Sequence, residues 1–238
     1  MKRILITLSQ KWPEYILEIL VITIGILGAF GLTSWNENRK GDNEERITLE
    51  QLYEDLSTSK TQSEELIEKE INALKTMRAA LGSKSQVDSL FHAESIDEMA
   101  IEIFWNFQHE LPVFKFYEDL KNSGRTGIIK NVAIRQQLAA LQKGMDQLHF
   151  LLADRKAVHV TRIDAIAEKD INFLPIIRSP YKPDNVGSHT DYMLLLMDQR
   201  IRNLIGIKLQ TTTEILVSRR KLDKEIEELV NSIKSELK

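Results

Sequence analysis

Tyr15-Ile-Leu-Glu-Ile-Leu-Val-Ile-Thr-Ile-Gly-Ile-Leu-Gly-Ala-Phe-Gly-Leu-Thr-Ser-Trp35 carries no charge from Ile19 to Trp35. As a helix rising about 1.5 Å per residue, the stretch reaches roughly 30 Å, the thickness of a bilayer's hydrocarbon layer. Length and composition therefore predict a membrane-spanning helix over residues 15–36, after a short flank at 1–14. Trp12 and Tyr15 at one end and Trp35 at the other are placed as interfacial anchors, because amphipathic rings settle at headgroup level. Glu18 is the one carboxylate in the stretch. A charge at the centre of a spanning helix costs about 2.5–3.5 kcal/mol, but Glu18 stands near the interface. The Ile, Leu, Val and Phe residues from Ile19 to Leu32 each contribute about −0.3 to −0.6 kcal/mol on the same scale, which favours insertion. Two readings of Glu18 stand: an interfacial residue one turn after Glu14, or an intramembrane titrating group that serves a proton or a partner.

A cleaved signal peptide is the competing reading. Lys2, Arg3 and Lys11 form a basic start, and Ala29-Phe30-Gly31 has the small-x-small pattern of a cleavage site. The apolar run is long for such a peptide, and Trp35-Asn-Glu-Asn-Arg-Lys40 reads as a membrane exit, so a retained anchor is expected. For orientation, Lys2, Arg3 and Lys11 before the span are matched by Arg39, Lys40 and Arg46 after it, and acidic residues contribute little to the rule. The short first flank favours a cytoplasmic N-terminus. The predicted localisation is the inner (cytoplasmic) membrane, single-pass, with residues 37–238 on the periplasmic side. Within the span, Gly25, Ala29 and Thr33 recur at intervals of four, and Gly28 and Gly31 widen the stripe of small side chains. Such a stripe lets a second helix approach closely, so a homo-oligomer or a membrane-protein partner is expected beside the lipid bilayer itself. Glycine is also simply common in membrane helices.

The chain has 238 residues, 42% apolar and 28% charged, which is enough for one domain with its own core. A formal net charge of −3 leaves no basic surplus for wrapping nucleic acid, and none is expected as a partner. There is no cysteine, so disulfides, thiolate metal sites and cysteine nucleophiles are excluded. Ten glycines and five prolines are few for this length and favour long helices over a turn-rich β fold.

Beyond the span, Leu49, Leu52, Leu56, Leu66, Ile67, Ile71, Leu74, Met77 and Leu81 recur at helical steps and predict a helix from Asn43 to Leu81, ended by Gly82. Its middle, Ser57-Thr-Ser-Lys-Thr-Gln-Ser63, is polar all round, as in a helix that crosses water or packs weakly. Ser95-Ile-Asp-Glu98 fits a capping box that opens a helix bearing Ile96, Met99, Ile103 and Phe107 and stopping before Pro112. Phe104, Trp105, Phe107, Phe114, Phe116 and Tyr117 make an aromatic cluster, read as core rather than sticky surface. Asn122-Ser-Gly-Arg-Thr-Gly127 is a turn. Asn131 caps a long helix through Ala167 with Ile134, Leu138, Leu141, Met145, Leu148 and Leu152 at coiled-coil steps, weakened slightly by Gly144. Pro175, Pro180 and Pro183 mark the main loop. A last helical run from Asp191 to Leu237 includes Arg219-Arg-Lys-Leu-Asp-Lys-Glu-Ile-Glu-Glu228, read as a solvated face with internal ion pairs. The predicted fold is all-α: one N-terminal membrane helix followed by an elongated antiparallel helical bundle with long coiled-coil-like helices.

No reaction is legible. His92, His109, His149, His159 and His189 include no pair at three or four residues' spacing, so no metal is expected. The carboxylate pairs Glu102/Glu110 and Glu118/Asp119 are unspecific in helices rich in acids, and Glu-x-x-His motifs of a di-iron bundle are absent. No P-loop, dinucleotide fingerprint or nucleophile elbow occurs, and no cofactor is expected.

Two segments resemble an uncharacterised family of bacterial single-pass membrane proteins. Glu18-Ile-Leu-Val-Ile-Thr-Ile-Gly-Ile-Leu-Gly-Ala-Phe-Gly-Leu-Thr-Ser-Trp-Asn-Glu-Asn-Arg39 is similar to that family's E-I-x-L-V-x-I-G-I-L-x-A membrane helix and W-N-E-x-R exit. Phe116-Tyr-Glu-Asp-Leu-Lys-Asn-Ser-Gly124, followed by Ile128-Ile-Lys-Asn131 and Ile134-Arg, resembles its second motif, a turn leading into an I-K-N helix. Gly31-Leu-Thr-Ser34 departs from the pattern, which has a more polar residue there. The resemblance implies a membrane anchor and a helical domain of unknown function, with no catalytic residues. The expected role is a non-enzymatic, membrane-anchored interaction or scaffold protein. The alternative is a component of an ion-driven or signalling envelope assembly that uses Glu18.

Overall fold

In a computed structural model of the chain, residues 2–93, 96–177 and 179–238 are described, with side chains over 12, 16–89, 98–166, 168–177 and 179–238. The apolar stretch and the helix expected from Asn43 to Leu81 are one element. Helix α1 (Lys2–Ala80) runs for 79 residues without a break, about 120 Å by its rise. No proline interrupts it after Pro13, and Gly41 in its middle costs about 1 kcal/mol of helix propensity, too little to break a helix of this length. The boundary expected at residues 36/37 is therefore no joint.

The chain is 83% helical, and no strand occurs among the described residues, which fixes the all-α class. After α1 come α2 (Lys84–Ala93), α3 (Ile96–Ala100) and a π-helical turn (Ile101–Trp105). Then follow α4 (Lys115–Asn122), a 3-10 turn (Arg125–Ile128), α5 (Val132–Val158) and a second π turn (His159–Ile163). The chain closes with α6 (Asp164–Asp170), a 3-10 turn (Leu174–Ile176), α7 (Tyr192–Met197) and α8 (Gln199–Glu236).

Three long helices make the bundle. Helix α8 runs antiparallel to both others: Lys60 pairs with Asp223 at 2.8 Å, Arg202 donates to the Leu81 carbonyl at 2.6 Å, and Asn131 donates to Glu236 at 2.6 Å. Buried residues step through each helix at threes and fours: Leu49, Leu52, Leu56, Ser59, Ser63, Leu66 and Glu70 on α1; Ile134 to Leu152 and then Arg155 on α5; Ile215, Arg219, Leu222, Ile226, Leu229 and Ile233 on α8. That spacing keeps one stripe of each helix turned inward. The apolar core divides in two. One cluster, with Leu52, Leu56, Leu138, Leu148, Leu222 and Leu229, lies toward the apolar stretch of α1, and another, with Leu74, Met77, Ile103, Phe104, Leu196 and Ile205, lies at the far end.

Side-chain caps explain several helix starts. Asn131 Oδ1 accepts from the amides of Ala133 and Ile134, as expected, and Asp198 Oδ1 accepts from Arg200 and Ile201. This second cap splits the run from Asp191 into α7 and α8. Asp55 of α1 accepts from the amides of Phe116 and Tyr117, both at 3.1 Å, so one long helix caps the start of α4. Gly124 takes φ +69° between α4 and the 3-10 turn, a left-handed conformation that favours glycine. The helix expected through Ala167 continues instead as a π turn and α6. Helix α1 stops at Ala80, and Gly82 does not use the positive φ of a left-handed cap. Ser95 of the expected capping box lies outside the described residues.

Three readings need correction. Ser59 and Ser63, in the segment read as polar all round, are buried; Ser59 Oγ sits 2.8 Å from the Asp55 carbonyl and 2.6 Å from that of Val113, so its burial leaves no polar atom unmet. Arg219, read as part of a solvated face, is only 1% exposed, although Lys221–Glu225 and Lys224–Glu228 do pair along the surface of α8. Gly144, read as a mild weakness, is where α8 comes close: a Cβ there would stand 2.6 Å from a Glu225 carboxylate oxygen and 3.1 Å from Leu222. The aromatic cluster is core at Phe104, Phe114 and Tyr117, but it is divided between the two apolar clusters.

Candidate functional site

Residues 16–40 of α1 are exposed throughout. This stretch is long and apolar enough to cross a membrane, and none of it is buried against the rest of the chain. A Cβ placed on Gly25, Gly28 or Gly31 would meet nothing within 4 Å, and the Thr33 hydroxyl donates to the Ala29 carbonyl at 2.9 Å. Trp12 and Trp35 are 60% and 61% exposed and, 23 residues apart, stand about 35 Å from one another along the helix. Arg39 lies 5.8 Å over the Trp35 ring. Glu18 is exposed, while the side chain of Tyr15 lies outside the described residues.

Because α1 is unbroken, the angle between its small-residue face and its bundle face is set. At about 100° per residue, Leu49, Leu52 and Leu56 lie roughly 180–240° around the helix from Gly25. Ala29 lies only about 40° from Gly25. The Gly25–Ala29 face therefore points away from the bundle that α1 carries.

Just past the apolar stretch, α1 meets the segment that leads into α5. Asp42 and Glu45 of α1 hold the Lys130 ammonium, Glu45 Oε1 accepts the Lys130 amide at 2.5 Å, and Arg125 donates to Glu44 at 3.0 Å. Arg135 donates to the carbonyls of Ile129 and Lys130. Apart from the largely shielded Glu45, these groups are solvent-facing, so each pair contributes modestly, but together they tie the base of α5 to α1.

Sequence reasoning missed the buried charges. Between the two apolar clusters each long helix contributes one charged side chain to a single layer. Glu70 of α1, fully buried, accepts two bonds from Arg155 of α5, at 2.7 and 2.9 Å, and one from Arg219 Nε of α8 at 3.0 Å. Arg219 Nη2 also donates to the Glu110 carbonyl at 2.9 Å. Burial lowers the Arg219 pKa, and the Glu70 carboxylate opposes that shift. Farther along α8, buried Lys208 donates to the carbonyls of Ile103 and Phe104 at 2.7 and 3.1 Å, closing the first π turn. Burial lowers the Lys208 pKa to about 7, with Glu102 pulling it up and Arg155 pushing it down. His159, at the start of the second π turn, is buried with its ring 4.1 Å from that of Phe107. Its pKa falls to about 4 through burial and the nearby Lys208, against the pull of Asp164. Arg155 Nε, Arg219 Nη1 and His159 Nδ1 are buried without a hydrogen-bond partner among the described residues.

The layer is polar and shielded, but it contains no nucleophile paired with a base. No group of three His, Asp or Glu residues suited to a metal occurs among the described residues. Its chemistry is positional. A slip of α5 or α8 past α1 would strand a buried guanidinium, so the ion layer favours one register. The signal was present in the sequence, since Arg155 follows Leu152 at the next step of an apolar stripe and Arg219 stands between Ile215 and Leu222.

No protein-family model matches the chain, no curated protein matches it, and no solved structure matches it.

Proposed function

We propose that this chain is a membrane-anchored helical interaction or scaffold protein without catalytic activity. Residues 15–36 hold it in the inner membrane with the N-terminus in the cytoplasm, and the bundle stands in the periplasm on an uninterrupted stalk. The observation that carries this reading is the exposed run of apolar side chains from Ile16 to Trp35, which no other described residue covers. An apolar surface of that extent needs lipid or another protein around it. The resemblance to a bacterial single-pass family agrees with an envelope setting.

The partner in this reading is a second copy, packed through Gly25, Ala29 and Thr33. The face is free of side chains that would hold two helices apart, and it points away from the bundle, so two copies can meet there without their bundles colliding. Chemical crosslinking in native membranes tests the proposal. Discrete oligomers are expected, and Gly25→Leu or Ala29→Leu should weaken them; a monomer indifferent to both changes overturns self-association. Recovery of the chain in the aqueous fraction after high-speed sedimentation overturns the anchor itself.

The unbroken helix also favours a second reading, a component of an ion-driven or signalling assembly in which Glu18 titrates and α1 carries the consequence outward. Glu18→Gln separates the two, since a scaffold tolerates it and a transducer does not.

A further inference from the structure

Residues 106–111 cross from the far apolar cluster to the near one without regular secondary structure, passing beside the buried charge layer. Side chains of α8 hold both sides of this crossing. Lys208 binds the carbonyls of Ile103 and Phe104 just before it, and Arg219 binds the Glu110 carbonyl near its end. Between them, Phe107 lies against His159. The geometry points to a proton-operated strap: residues 106–111 close over the Glu70–Arg155–Arg219 layer while Lys208 and His159 are neutral, and lift when these two take up protons.

Burial sets the sign. Lys208 is 5% exposed and its nitrogen donates to two neutral carbonyls, so a charge there loses its water without gaining a carboxylate at bonding distance. No carboxylate lies within ion-pair distance of Lys208 among the described residues. Glu102 of the first π turn faces it from one side, and Arg155 and His159 from another. His159 has Asp164 at 3.8 Å from Nε2, with Lys208 and Arg155 also near. In the adjoining layer, Glu70 is already engaged by both arginines, and Glu110 is exposed and 3.9 Å from Lys69. Charging Lys208 and His159 therefore adds two cations to a buried site whose one buried carboxylate is shared by two guanidinium groups. Lifting the strap lets water reach them.

Closed, the two groups titrate near 7 and near 4; exposed, they return to 10.5 and 6.5. By linkage, lowering the pH from 8 to 5.5 shifts the opening equilibrium by about a hundredfold, roughly tenfold from each group. This inference does not depend on the membrane reading.

The test is hydrogen–deuterium exchange on the full chain in lipid nanodiscs, at pH 8 and pH 5.5, corrected for intrinsic exchange. Amides of 103–111 are expected to exchange about a hundredfold faster at the lower pH, while α5 from 138 to 152 keeps its protection. His159→Gln should cut that ratio to about tenfold, and Lys208→Met to about tenfold or less, because it also removes the charge that lowers the His159 pKa. Lys208→Met also removes the bonds to Ile103 and Phe104, so His159→Gln serves as the conservative variant. Equal protection of 103–111 at both pH values overturns the strap. So does loss of protection spread evenly over 103–111 and 138–152, which is unfolding of the whole bundle, or a ratio that both variants leave unchanged.

Discussion

Arg155 of α5 reaches Glu70 of α1 with both terminal nitrogens, at 2.7 and 2.9 Å, across 85 residues of sequence and with neither group open to water. A fork of this kind fixes direction as well as distance. With Arg219 completing the layer from α8, the three long helices are pinned at one height.

Removing the carboxylate should cost far more than removing the layer. Glu70→Gln leaves two buried guanidinium groups facing each other and should destabilise the bundle by about 3–5 kcal/mol. The triple variant Glu70→Leu, Arg155→Met, Arg219→Leu replaces the layer with apolar packing and should fall within a few kcal/mol of the parent, on either side. Urea unfolding followed by circular dichroism measures both. A neutral Glu70→Gln would mean that the layer is solvated in solution.

Stability should rise with pH in two windows. The folded-state pKa values of His159 and Lys208 lie below those of the unfolded chain, so the unfolded state binds more protons between about 4 and 6.5 for His159 and between about 7 and 10.5 for Lys208. Stability contributed by these groups is present at high pH and is lost on acidification through each window. Lys208→Met should flatten the upper window, as read from unfolding midpoints between pH 7 and 10.

Gly124→Ala should destabilise by about 1–2 kcal/mol, because φ +69° places a Cβ in a left-handed conformation. Open space surrounds the position, so the cost is one of backbone rather than of packing. Thermal unfolding of Gly124→Ala beside Gly127→Ala, whose φ is not positive, isolates it.

Insertions after Asn38 test the phase relation in α1. Two added alanines turn the Gly25–Ala29 face by about 200° relative to the bundle, whereas seven turn it by only about 20°. If two copies pair through that face, the two-residue insertion swings the bundles toward each other and should lower the crosslinking yield. The seven-residue insertion should restore it. Equal yields would separate the pairing from the phase of the helix.

Much of the fold could be read directly from residue spacing. The stripe through Ile134, Leu138 and Leu141, the Asn131 cap and the proline-rich loop all act over a few residues, where local rules apply. The buried ions escaped because Glu70, Arg155 and Arg219 sit among other charges, and only their place on the apolar stripes separates them from solvated neighbours. Ser59 and Ser63 escaped for a related reason: a serine hydroxyl can satisfy itself on its own helix, so composition overstates its need for water. The Asp55 cap on α4 joins residues about sixty apart and depends on tertiary packing. Conversely, the small-residue face of the apolar stretch was evident from order alone, since it is exposed and its glycines have open space around them.

The absence of a joint in α1 has a mechanical corollary. From Trp35 to Ala80 the helix extends about 68 Å, so with its lower part seated in a bilayer each degree of lean carries the upper end sideways by roughly 1.2 Å. Spanning helices lean by about 20° on average and adjust to the thickness of the lipid around them. In the membrane-anchored reading proposed above, the far tip, with α2 and α7 packed near it, becomes a pointer whose position reports how thick the bilayer is at its root.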